Sequence, residues 1–131
     1  MNALERTVPA AAIVLAAFAL SACGPRYDRL DITLKSSPPT ATTTESNSIE
    51  ITSGVAVVVH VEPISGSPTD YEETDEVSLS SENTGVLEVL HGHTEREFAL
   101  VGVWPGETDL VVSVNGHVRD HIPFRCAAYE P

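Results

Sequence analysis

From Ile49 onward the apolar and polar positions alternate in short bursts. IEIT and VAVVVHVEP are separated by Ser53-Gly54, and VSLSS, GVLEVL, REFALVGV, DLVVSV and HVRDHIPFRC follow at intervals near ten residues. An extended chain points successive side chains to opposite faces, so each burst predicts a half-buried strand. The β-branched run in VAVVVHVEP predicts a central one. Gly, Pro, Asn and Asp punctuate the intervals. Seven such strands predict an all-β antiparallel sandwich over residues 49–127, followed by a short tail at 128–131. No helical stripe of useful length appears in this region.

Upstream, LDITLK sets Leu30, Ile32 and Leu34 against Asp31, Thr33 and Lys35. This alternation predicts a strand over 30–35, which would carry the start of the sandwich back to residue 30. Between it and Ile49 lies SSPPTATTTESNS, rich in Ser and Thr and broken by Pro38-Pro39. Its composition predicts a surface loop or a flexible stalk with no packed element.

The last two bursts allow a hairpin to be argued to register. A two-residue Asn115-Gly116 loop would set Val112 against Arg119 and mix apolar with basic side chains on one face. A three-residue loop, Val114-Asn115-Gly116, instead sets Val112 against Val118 and Ser113 against His117. The second register is the expectation. It puts Leu110, Val112, Val118, Ile122 and Phe124 on the core side and Ser113, His117, Arg119, His121 and Arg125 outside. Asp120 is left pointing inward without an explanation.

The N-terminus has a different pattern. MNALER carries Arg6, and TVPAAAIVLAAFAL is an apolar run of fourteen residues. A bilayer-spanning helix needs about 20, so residues 1–22 read as a signal-peptide helix that is removed. Leu20-Ser21-Ala22-Cys23 resembles the lipobox of bacterial lipoproteins. That resemblance implies cleavage before Cys23 and attachment of a diacylglycerol to its sulfur, with acyl chains holding the protein to a membrane. In that family an Asp after the cysteine can retain the product in the inner membrane, whereas this chain has Gly24, so an outer-membrane location is expected, facing the periplasm or the outside. GPRYDR would then be a polar spacer within a tether over residues 23–48. With Cys23 lipidated, Cys126 has no partner for a disulfide within the mature chain and is expected as a small buried side chain.

Charge narrows the partners. Lys and Arg total 7 against 19 Asp and Glu, a net charge of −12. Such an excess repels phosphate backbones, so nucleic acid is excluded as an expected partner.

VSLSSENTGVLEV, Val77 to Val89, and FALVGVWPGETDLVVSVNG, Phe98 to Gly116, together resemble the bacterial immunoglobulin-like domains of group two. Gly102, Gly106 and Thr108 fit that family's corner, while Leu79 and Trp104 depart from its pattern. The resemblance implies an immunoglobulin-like sandwich of about seven strands. It also implies a role in adhesion, spacing or polysaccharide contact without catalysis.

Candidate chemistry is sparse, since no Ser-His-Asp signature, phosphate-cradling glycine loop, Cys-x-x-Cys pair or His-Glu-x-x-His is present, and no cofactor or enzymatic activity is expected. His91-Gly92-His93 would aim two imidazoles the same way on an extended strand, as a zinc or copper pair requires, with His117, His121 or Glu95 as a third ligand. Solvent-exposed histidines are the plainer reading. The run Asp70–Glu76 has oxygen ligands for calcium but carries Asp75 where a calcium loop of the EF-hand type has glycine, so a solvated acidic loop is expected. Trp104 before Pro105 is either an anchor for a partner or, the favoured expectation, a lid on the sandwich core.

The expected function is that of a lipid-anchored envelope protein whose sandwich binds or supports a protein or glycan partner. A metal-binding lipoprotein using His91 and His93 is the alternative. A weaker one is an inhibitor that inserts the loop Thr94–Glu97 into an envelope enzyme.

Overall fold

The computed structural model describes residues 24–130. The expected signal helix and Cys23 lie outside the described residues. Within them the chain forms nine strands: β1 Tyr27–Leu34, β2 Thr43–Glu45, β3 Ser48–Thr52, β4 Ala56–Ser65, β5 Val77–Ser81, β6 Leu87–His91, β7 Glu97–Gly102, β8 Gly106–Val114 and β9 His117–Ala127. The strands alternate buried and exposed positions, as in β4, where Val57, Val59 and Val61 are fully buried. This is the pattern of a sheet with one face on a core.

Two sheets result, a four-stranded one ordered β1-β4-β7-β6 and a five-stranded one ordered β2-β3-β9-β8-β5. The first sheet together with β5, β8 and β9 reproduces the strand order of a constant-type immunoglobulin sandwich. Leu30, Leu87 and Leu100 from the first sheet face Ile49, Leu110 and Phe124 from the second across one core.

Four features differ from the sequence expectations. The sandwich has nine strands rather than about seven, because β1 joins it through β4, as the alternation over 30–35 allowed, and Thr43–Glu45 pairs with β3 instead of looping free. Three of the Ser/Thr/Pro segment's residues can do so because Thr is β-branched and an edge strand needs no buried face. The sheet is not purely antiparallel, since β3 runs parallel to β9, with Ile49 opposite Phe124 and Ile51 opposite Cys126. The spacer GPRYDR is shortened, since Tyr27, Asp28 and Arg29 belong to β1, paired with β4 from Tyr27 opposite Ser65 to Leu34 opposite Val59.

The fourth is the β8–β9 register. Val114 pairs with His117 around a two-residue loop in which Asn115 and Gly116 have φ of 52° and 81°. Positive φ at both central residues defines a type I′ turn, whose twist matches that of the flanking strands. A bulge between Val112 and Ser113 then resets the pairing, so Val112 meets Asp120 and Leu110 meets Ile122. The extra residue removes the conflict that had argued against the short loop. It also turns Val118 outward, 57% exposed, whereas Val114 becomes core.

Asp120 gains its explanation from the same shift. Tyr27 Oη donates to Asp120 Oδ2 at 2.8 Å, tying β1 of one sheet to β9 of the other. Burial, reinforced by the hydrogen bond and charge of Asp120, pushes the Tyr27 phenol well above the ordinary tyrosine range.

Candidate functional site

Strand polarity separates the loops into two ends. At one, Gly66 N–H donates to Arg26 O and Arg26 N–H to Ser67 Oγ, so the chain enters beside the β4–β5 connection. The Asn115-Gly116 turn joins them there, with Asn115 N–H donating to Glu76 O and Glu76 N–H to Asn115 Oδ1. At the other end Ser53 N–H donates to Ala127 O, Ser53 Oγ to Val103 O, and Val103 N–H to Val86 O. The ten-residue β4 spans from one end to the other, about 30 Å at the rise of an extended strand.

Trp104 lies at the end away from Gly24, in the crossing between β7 and β8. It is 71% exposed, and Val103 beside it is 40% exposed. The expectation that Trp104 caps the core is therefore corrected. Val55 and Val86, each 9% exposed, are buried at that end, whereas the indole is left to solvent. The crossing itself depends on Gly102, where a Cβ would stand 2.7 Å from the carbonyl oxygen of Thr52 and 3.1 Å from Cys126 Sγ. Cys126 is a buried free thiol, and burial raises its pKa.

The acidic run lies at the Gly24 end and is ordered from within. Asp75 Oδ2 accepts from Glu72 N–H at 2.7 Å and its Oδ1 from Asn115 Nδ2 at 3.0 Å. The Glu72 amide, then Asn115, hold the Asp75 carboxyl below the usual range. Arg96 spans this loop, with Nη1 bound to Glu62 Oε2 and Nη2 donating to the carbonyls of Glu72 and Asp75. The loop Thr94–Glu97 is thus tied back to its own domain through a guanidinium whose side chain is only 11% exposed.

Among the described residues, His91 and His93 do not belong to a three-ligand group. His91 ends β6 and sets its ring edge-on to Phe98, 5.1 Å between centroids, while Gly92 turns back to donate to Glu97 O. The extended geometry on which their pairing depended stops at His91. The three-ligand group among the described residues is a different one, Glu82, Asp109 and His121, with ligand atoms all within 4.8 Å of one another on the outer face of the five-stranded sheet. His121 was weighed only as a helper to the His-Gly-His motif. Glu82 and Asp109 gave no local signal, because only the pairing of β5, β8 and β9 brings them together.

No family model and no curated protein matches the chain. Two solved structures are similar to it. One is the surface layer protein SbsC, domains 1-6, at 19% identity and a TM-score of 0.52, covering 74% of this chain and 14% of that one. The other is the S-layer protein SbsC, domains 4 and 5, at 17% identity and a TM-score of 0.48, covering 72% of this chain and 55% of that one. The chain therefore spans about half or less of the structures it resembles. At 19% identity the likeness to domains 1-6 bears on the all-β fold alone.

Proposed function

We propose that this is a cell-envelope lipoprotein, held in the outer membrane through lipidated Cys23. Its immunoglobulin-like sandwich acts as a non-catalytic module that meets a protein or glycan partner with the end farthest from the membrane. The observation that carries this reading is the opposite placement of Gly24 and Trp104. An acylated residue directly before Gly24 would leave the acidic loop toward the bilayer and present Val103 and Trp104 outward, where a flat amphipathic ring suits either a sugar face or a protein surface. The sandwich is a fold also built into a surface layer protein, which supports an envelope setting for such a module.

Two measurements test the reading. Mass spectrometry of the membrane fraction is expected to find a mature chain beginning at an acylated Cys23, and Cys23→Ser is expected to abolish the modification. An unprocessed, unacylated N-terminus sinks the anchoring. A photo-crosslinking residue placed at position 104 in intact cells is expected to yield adducts that one at position 71 does not. Equal or absent labelling at 104 sinks the contact role.

A further inference from the structure

We propose that Glu82, Asp109 and His121 form a binding site for a divalent transition metal of the zinc class, on a sheet face distinct from the Trp104 end. The donors come from three separate segments whose backbones are mutually bonded. Asp109 is on β8 and His121 on β9, in one antiparallel ladder where Asp109 opposes Pro123 and His121 opposes Val111. Both side chains leave the same face, as diagonal neighbours. Glu82 follows β5, and its N–H donates to Asp109 O at 3.1 Å. The backbone beneath the site is therefore assembled by sheet hydrogen bonds rather than by a free loop, which fixes where the three side chains start.

The spacing fits the metal. His121 Nδ1 is 3.2 Å from Glu82 Oε1. Zinc with nitrogen and oxygen ligands at about 2.0–2.2 Å in a tetrahedron sets its ligand atoms about 3.3 Å apart, so this pair already has the length of one edge. Asp109 offers a carboxylate oxygen within 4.8 Å of the other two ligand atoms for the third corner, with water as the fourth ligand. One imidazole among carboxylates selects borderline ions such as zinc over calcium or magnesium, which prefer all-oxygen sites. Zinc would take the place of the proton on Nδ1, leaving the imidazole neutral with its remaining hydrogen on Nε2.

Charge on the same face singles out this corner. Arg125 stands opposite Glu107 on β8 and opposite Glu50 on β3, with its Nη1 3.8 Å from Glu50 Oε2. Arg125 thereby pairs with Glu50 and lies across the ladder from Glu107. Opposite Asp109 the ladder has Pro123, which carries no charge, and among the described residues no Lys or Arg pairs with Glu82 or Asp109. Two carboxylates held against a single histidine are short of positive charge, which a divalent cation supplies.

Isothermal titration calorimetry of the full chain with zinc chloride is expected to show one saturable site. His121→Ala, Asp109→Asn and Glu82→Gln should each weaken it at least tenfold, while a His91→Ala/His93→Ala variant binds as the parent does. Since a variant could lose its fold, circular dichroism accompanies each. The parent chain is also followed by nitrogen-15 NMR, where zinc should shift the His121 Nδ1 resonance selectively. Absence of saturable binding, binding unchanged in folded His121→Ala, binding lost in the His91/His93 variant, or a zinc shift at another histidine each overturns the site.

Discussion

A phenol donating to a carboxylate holds only while it keeps its proton, and Tyr27 is the donor that fastens β1 to the opposite sheet. Its folded pKa lies above the unfolded value near 10, so the folded chain retains this proton more strongly than the unfolded one. The resulting stability is complete below about pH 10 and declines as pH rises above it. Denaturant titrations are expected to show an alkaline loss of stability that is smaller in Tyr27→Phe, and equal slopes in the two proteins would refute this role. Sequence pattern placed Asp120 on the inward side of its strand but could not name a partner lying 93 residues away. The His91-Gly92-His93 spacing has a related limit. Two-residue spacing aligns side chains only where the strand continues, and Gly92 ends it.

Among the elements, the β8–β9 hairpin shows most directly what alternation reveals and what it hides. The two strands and a turn at Asn115-Gly116 were legible, whereas the turn's length and the faces of Val114 and Val118 were not, because they depend on a bulge whose single extra residue leaves the local pattern almost unchanged. Val118 consequently lies outside, where it occupies the phase of a core residue. Replacing Val118 with Thr should change stability by no more than about 0.5 kcal/mol, as at other exposed positions. Gly116→Ala should cost about 1 kcal/mol, since its φ of +81° is strained for alanine although a Cβ there meets nothing within 4 Å. Thermal unfolding of both variants checks the register, and the opposite ranking would restore the three-residue loop. The strand β2 was hidden by composition, because Ser, Thr and Pro together read as a loop even where threonines take up an edge.

For the whole molecule, a single core between two sheets leaves little reserve. Phe124 is 2% exposed and fills the space between β3, β9 and the facing sheet. Phe124→Ala should cost about 3–5 kcal/mol, a large part of the roughly 5–15 kcal/mol that holds a domain folded. A chemical denaturation curve showing a loss below about 1 kcal/mol would contradict this packing.

The two ends of the sandwich carry one more consequence. In the proposed setting, force enters at Gly24 and leaves at Trp104, along a line nearly parallel to β1 and β4. The seven residue pairs that join these strands then resist together, since they must slide past one another in shear rather than unzip one at a time. A domain strung this way between a bilayer and its partner meets a pull with all of those pairs at once.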